Sequence, residues 1–335
     1  MSKLNIPENY KPALTLYRKQ RAIEFIKNDF QKQLARRLNL KRVSAPLVIF
    51  ENTGMNDNLN GYERPVSFDI PDIKTNGEIV HSLAKWKRVA LKRYDFNVGN
   101  GLYTDMNAIR RDEEVDNLHS IYVDQWDWEK IITDDQRNTD YLLNVVSLIV
   151  DAIAATSKNL NEKFKELDVH IPDTFYSLTS QELLDMYPDL TAKQRENAIT
   201  KKCGVVFLRN IGDKLSNGQR HDGRAPDYDD WSLNGDLLYY SDVLDCAVEL
   251  SSMGIRVNPE VMLEQLKKDN KEDRLNLDYH KSLMNGELPQ TIGGGIGQSR
   301  LCMLLMGCAH IGEVQASLWD KETLQECKER GIEIL

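Results

Sequence analysis

Residues 290–301 read QTIGGGIGQSRL, four glycines within five positions and then Arg300 ahead of an apolar run. Glycine is costly to order, so such a cluster marks backbone in an unusual conformation or pressed close to something. Arg300 falls in the first turn of a helix expected at about 298–308, where the helix dipole repels a cation and attracts anions. An arginine there makes sense beside an anionic group, although a solvated arginine after a packing turn would read the same.

Other polar groups have spacings that suit chemistry. In GLYTDMNAIRRDEEVDNLHSIYVDQWDWEK (101–130), read as strand, polar loop, strand, period-two alternation puts His119, Ile121, Val123, Gln125 and Asp127 on one face. Gln125 and Asp127 set an amide and a carboxylate side by side, suited to a zwitterion such as an amino acid. Arg110, with Glu113 three residues on, could grip a phosphate while held by its partner, or form a surface ion pair. RHDGRAPDYDDW (220–231) crowds Asp222, Asp227, Asp229 and Asp230 between basic residues, a density that calls for a cation or ammonium unless the loop is solvated. Asp236 in LNGDLLYY and Glu249 in CAVELSSMGIRV stand among apolar residues on strands expected to pair, where an unpaired carboxylate is expensive. Mg²⁺ bridging them to phosphate oxygens would resolve that cost, and Arg256 offers a salt-bridge alternative. IVHSLAKWKR (79–88) places Ser82, Lys85 and Lys87 beside an apolar strand, and GMNDNLNG (54–61) is a turn-rich loop around Asp57.

Several familiar sites are excluded. GxGxxG fails because Gln298 and Arg300 occupy the third-glycine places, and no GxxxxGK[ST] occurs. HIGE (310–313) and KLSNG (214–218) resemble two synthetase signatures only faintly and in reverse order. The five cysteines, Cys203, Cys246, Cys302, Cys308 and Cys327, have no CxxC spacing, which argues against zinc and against a disulfide framework.

The elements that must position these residues come next. Ile23, Ile26, Phe30, Leu34 and Leu38 mark a long amphipathic helix over about 13–39, and a second runs over about 139–168. Pro46 in KRVSAPLVIF belongs at a sheet edge or boundary. Strand-like pieces at 79–83, 101–110 and 119–129, then GVVFL, NGDLLYY and CAVELSSMGIRV, come in antiparallel-looking groups. The fold class is α+β, helices packed on one mainly antiparallel sheet. The 335 residues read as one catalytic domain, 1–335, with 1–12 a flexible N-terminal extension. The formal charge of −9 argues against a nucleic-acid binder. The N-terminus lacks a signal peptide's apolar core, and LLNVVSLIVDAIAA is interrupted by Asn144, Ser147 and Asp151, so a cytoplasmic protein with no membrane span is expected.

HSLAKWKR, GLYT, VDQWDWE, SQELL, YPDL, RAPDYDDW, LNGD, ELSSMGIRV, EDRL and PQTIGGGIGQSRL, in this order over about 18–315, resemble the ammonia-dependent asparagine synthetases (aspartate–ammonia ligases, type A). The resemblance implies a fold like the catalytic domain of class II aminoacyl-tRNA synthetases. It implies ATP-driven conversion of L-aspartate and ammonia to L-asparagine through β-aspartyl-AMP, with Mg²⁺, in a homodimer built on the first helix and the strand ending at Pro46. Arg110, Glu113, His81 and Arg300 would bind ATP, with Asp236 and Glu249 holding ATP and metal. Ser82, Lys87, Gln125, Asp127, Asp229, Ser252 and Gly293 would bind aspartate, and Asp57 would take a proton from attacking ammonia; Asp57, Arg110, Gln125 and Arg300 would be catalytic. In this family extra residues separate DDW from LNGD, whereas here only Ser232 intervenes, which implies a shortened active-site loop. A tRNA-charging enzyme would need an anticodon-binding module, for which the motifs leave no room, and a glutamine-dependent synthetase would need an N-terminal cysteine where residue 2 is Ser.

Overall fold

The computed structural model describes residues 4–57, 59 and 61–335. Ala22, Ile26, Phe30, Leu34 and Leu38 recur every four residues and are all fully buried on helix α1 (Leu16–Leu38). This spacing keeps one stripe against the core. Asn39 then turns left-handed, its N–H on the Ala35 carbonyl, and ends the helix. Residues 4–12, expected as an extension, run against the body: Asn5 donates its N–H to Asn117 Oδ1 at 2.7 Å, and the Tyr10 hydroxyl reaches Glu313 at 3.0 Å. Residues 1–3 of that extension lie outside the described residues.

The segment around Pro46 divides into β1 (Leu40–Arg42) and β2 (Val48–Phe50), which join different sheets. β2 pairs with β4 (Thr75–Ile79), and β4 with β3 (Ser67–Ile70), in a small antiparallel sheet. The strand expected at 79–83 is displaced: β4 ends at Ile79, and helix α2 (Ala84–Arg93) follows. Its periodicity was hidden because its buried face carries Lys85, Lys87 and Arg88.

The large sheet contains β1, β5 (Gly101–Ile109), β6 (Tyr122–Ile131), β7 (Tyr176–Thr179), β8 (Val205–Arg209), β9 (Asp229–Ser241), β10 (Cys246–Arg256) and β11 (Thr291–Gly297). Its order is β1-β5-β6-β11-β10-β9-β8-β7, antiparallel except at the two end pairs, β1 with β5 and β7 with β8. The α+β class is therefore observed. The remaining helices are α3 (Thr139–Lys163), α4 (Ser180–Met186), α5 (Ala192–Cys203), α6 (Pro259–Lys268), α7 (Asp278–Met284), α8 (Gln298–Met306) and α9 (Lys321–Glu329).

Helices α1 and α3 pack together, and the Phe30 ring lies 4.7 Å from Trp126 of β6. Trp126 and Trp128 point to this core face, so alternation sends Gln125, Asp127 and Glu129 to the other. Helix α3 stops at Lys163 rather than 168, because Ser157 Oγ and Asn161 Nδ2 both donate to the Val169 carbonyl and turn the chain back. By length and mean hydropathy α3 could cross a membrane, but its Leu142, Val146, Ile149 and Ile153 are buried inside the fold. The chain through DDWSLNGD forms no loop at all: it is the continuous start of β9.

Candidate active site

Three antiparallel strands make the floor of the site. On β6 and β11, Gln125 stands opposite Gly297, Asp127 opposite Gly295 and Glu129 opposite Gly293. A Cβ on Gly295 would collide with Gln125 Oε1 and come within 2.6 Å of Asp127 Oδ1. One on Gly293 would run into Glu129 and Arg256. The glycines therefore make room first for the protein's own polar side chains, which lie across β11.

Above this floor lies a cavity of about 570 Å³. Asp57, Ser82, Lys87, Arg110, Glu113, Gln125, Asp127, Asp229, Asp236, Glu249, Ser252 and Arg300, all singled out in the sequence, line it together. They arrive from separate elements. Asp57 sits on the loop after β2, where it accepts from Ser82 Oγ and from the Leu59 N–H, each at 2.9 Å. Asn56 anchors that loop, donating to Glu78 Oε2 of β4 and accepting the His81 N–H, both at 2.9 Å.

Lys87 of α2 is buried, with Nζ 2.9 Å from the Gly294 carbonyl and 3.2 Å from Asp127 Oδ2. Burial pushes its pKa down even though Asp127 opposes the shift. Beneath it, Arg256 reaches Glu129 Oε2 at 2.7 Å and also holds Asp229, so the deepest charges are paired. Burial would raise the Glu129 pKa, but Arg256 and Lys87 hold it low.

Arg110, with Glu113 4.0 Å away, follows β5, and its buried Nε has no hydrogen-bond partner among the described residues. Arg300 sits in the first turn of α8, which has no acidic residue there. Two backbone carbonyls hold it, Glu249 O on Nη1 at 2.9 Å and Leu118 O on Nε at 3.4 Å. Both arginines thus present guanidinium edges to one cavity from opposite elements.

Asp236 and Ser252 are cross-strand neighbours on β9 and β10, and the Ser252 hydroxyl lies 2.7 Å from Asp236 Oδ1 and 2.9 Å from Glu249 Oε1. Strict alternation would send Glu249 and Ser252, three residues apart, to opposite faces. A register shift between Glu249 and Ser251 brings them to the same one. Burial, reinforced by Glu249 and opposed by Arg224, raises the Asp236 pKa to about 7. Glu249 feels the same burial, but Arg300 and Arg224 hold it low. Among the described residues no group of three His, Cys, Asp or Glu is placed to hold a metal, so protein would supply these two carboxylates and a ligand the rest.

Two assignments do not reach the cavity wall. His81 is buried behind it, with Nδ1 3.0 Å from the Asp57 carbonyl and Nε2 without a partner among the described residues. Gly293 lies under the Glu129–Arg256 pair, which fills the space above it. Arg256 satisfies Glu129 and Asp229, not Asp236 and Glu249 as the salt-bridge alternative had it. His119 precedes β6 and pairs with Asp116 at 2.8 Å.

The sequence reading assigned no role to Tyr228, Asp222 or Arg224, all on the cavity wall. Arg224 Nη2 lies 2.5 Å from Asp236 Oδ1. Burial and the nearby Asp57 carboxylate push the Tyr228 pKa well up. The only sequence signal for them was membership in the acid-rich run 220–231.

The family model for aspartate–ammonia ligase matches residues 17–331. An aspartate–ammonia ligase of Ligilactobacillus salivarius is 57% identical over 334 residues, covering 99% of each chain. One from Ruminiclostridium cellulolyticum is 55% identical over 336 residues, covering 100% of each. Among solved structures, asparaginyl-tRNA synthetase from Pyrococcus horikoshii, complexed with asparaginyl-adenylate, superposes with a TM-score of 0.64 at 15% identity. The match covers 96% of this chain and 77% of that one. The Entamoeba histolytica asparaginyl-tRNA synthetase gives 0.62 at 12% identity, covering 89% of this chain and 66% of that one. The fold is that of class II synthetase catalytic domains, of whose full chains this one spans only part.

Two outcomes are expected. Gly295→Ala should fold yet lose most activity, since its methyl displaces Gln125 and Asp127; normal activity with a normal unfolding midpoint would show that the floor tolerates it. The second concerns Asp236, which binds its proton more tightly folded than unfolded. Stability from this group is therefore lost as pH rises from its ordinary 3.8 through about 7. The stability of the parent relative to Asp236→Asn should fall as pH rises from about 4 to 8, read by thermal unfolding of both; a difference independent of pH would contradict this.

Proposed function

The chain belongs to the aspartate–ammonia ligase family, and on that premise we propose how its cavity makes asparagine. The reaction is ATP-dependent synthesis of L-asparagine from L-aspartate and ammonia. A β-carboxylate oxygen of aspartate attacks the α-phosphorus of ATP, forming β-aspartyl-AMP as pyrophosphate leaves. Ammonia nitrogen then attacks the β-carbonyl carbon, AMP leaves with the oxygen, and a proton is lost.

The observation that carries this assignment is the convergence of Arg110 and Arg300 on a cavity whose other walls hold Gln125, Asp127, Lys87 and Asp229. Attack joins two anions, so the site must offset their repulsion before reaction. Guanidiniums fixed beforehand do so without reorganising during the step. Arg110, on the cavity wall beside Glu113, and the carbonyl-held Arg300 suit the α-phosphate and the distal phosphates respectively. Gln125, Asp127 and Asp229 would hold the amino group of aspartate, with Ser82, Ser252 and Lys87 orienting its carboxylates.

Asp57 is the proposed proton acceptor for ammonia, and Ser82 aims its carboxylate. Asp236 and Glu249 would hold Mg²⁺ with the phosphates; their hard oxygens suit that ion, and the two carboxylates meet at the Ser252 hydroxyl on the cavity wall. When bound, Mg²⁺ would offset phosphate charge. A homodimer is part of the proposal, supported by exposed Leu47 and Phe50 close in sequence to α1; sedimentation should give twice 38.5 kDa, and a monomer would refute it.

The deciding assay combines protein, aspartate, ATP, Mg²⁺ and ammonium, and expects asparagine, AMP and pyrophosphate. Release of ADP would refute adenylate formation. Arg300→Ala should slow adenylate formation by at least about a hundredfold, the usual cost of removing a preorganised charge-stabilising group. A near-parental rate would remove its role.

A further inference from the structure

Asp227 takes no part in the chemistry above, yet beneath the cavity its carboxylate joins three side chains from separate segments through one oxygen, while the other oxygen, Oδ1, has no hydrogen-bond partner among the described residues. It is fully buried, and one oxygen, Oδ2, accepts from three cationic or titratable side chains: Lys85 Nζ at 3.2 Å, Arg274 Nη1 at 2.9 Å and His280 Nε2 at 3.0 Å. All three donors are buried too. Burial would raise the Asp227 pKa, but Lys85, His280 and Arg274 drive it far below the usual carboxylate range.

Two of the donors come from segments next to part of the site. Lys85 is two residues before Lys87 on α2 and three after Ser82. His280, on α7, faces the Asp57 loop: a Cβ on Gly54 would lie 3.0 Å from its Nδ1, and the neighbouring Tyr279 N–H donates to the Thr53 carbonyl. Asp227 itself immediately precedes Tyr228 and Asp229 on the cavity wall. No element of the phosphate half, Arg110, Glu113 or Arg300, touches this cluster among the contacts described.

We propose that Asp227 is a positioning residue for the aspartate and ammonia half of the site. Through Lys85, Arg274 and His280 it locks the segments bearing Ser82 and Lys87, Asp57, and Tyr228 and Asp229 in one arrangement. The inference rests on the functional reading above and deepens it by dividing the site into two separately held halves. A hydrogen-bonded ionic hub suits this task because its geometry is directional, whereas apolar packing would allow the segments to slide. Removing one donor would shift the acceptor loop by a fraction of an ångström, and misplacement of that order is costly to a reaction that depends on alignment.

The test uses the full chain with His280→Leu, which deletes the donor, and His280→Gln, whose amide N–H can occupy the place of Nε2. Steady-state kinetics would be measured separately for aspartate, ammonium and ATP, with thermal unfolding as the check on folding. In His280→Leu the KM values for aspartate and ammonium should rise about tenfold or more, with that for ATP changing less than about twofold, while His280→Gln recovers most of the loss. Equal movement of all three KM values, unchanged kinetics, or a Gln variant no better than Leu would overturn the hub. If His280→Leu does not fold, Arg274→Met is read by the same split. The parent enzyme run alongside keeps the two readings apart: no asparagine from the parent overturns the function, whereas a normal parent with a uniform variant effect overturns only the hub.

Discussion

The close approach of side chains across β11 is the constraint on which the rest of the site depends. Gly293 and Gly295 lack the atoms that would otherwise occupy the space of Glu129, Arg256, Gln125 and Asp127. Because the sheet is antiparallel here, β6 and β10 flank β11 in register and both turn polar residues to the same face. Bulk on that central strand would force those groups apart. Lys87 reaches down to the Gly294 carbonyl, so backbone and side chains share one floor.

On that floor the charges are sorted by depth. Arg256, Glu129 and Asp229 form one ionic group, and Asp227 forms another with Lys85, Arg274 and His280, in which Asp227 Oδ1 and His280 Nδ1 have no hydrogen-bond partner among the described residues. A buried charge is held by its ionic partners, and breaking one such partnership is costly. Nearer the cavity the pairing is looser. Asp236 and Glu249 share a serine hydroxyl, and Arg110 stands 4.0 Å from Glu113. That incompleteness lowers the stability of the free protein and is what a charged ligand can satisfy, the usual conflict between stability and function at a site.

The core was legible from local periodicity. The four-residue spacing on α1 and the tryptophans alternating with Gln125 and Asp127 on β6 required only the geometry of a helix and a strand. Elements whose buried face is charged were not legible this way. Lys85, Lys87 and Arg88 made α2 look like a solvated stretch after a strand, because a buried lysine is justified by a partner, and Asp227 lies 142 residues away. The register shift beside Glu249 was equally hidden, since a bulge is set by pairing between strands. His81 and Gly293 belong to the right segments, yet neither lines the cavity, because alternation and packing send them behind or beneath it.

By itself the sequence determined the α+β class, the long helices, the family and the residue types that converge: two arginines, a set of acids and a glycine strand. These follow from local spacing and from long motifs, which the chain carries whether folded or not. Only the tertiary structure decided that Glu249 joins Ser252 and Asp236, that Arg224 and Tyr228 stand on the same wall, and that Asp227 ties three distant segments together. The physical reason is that pairing of charges and register of strands are interactions across long sequence separations, whose partners no local pattern names.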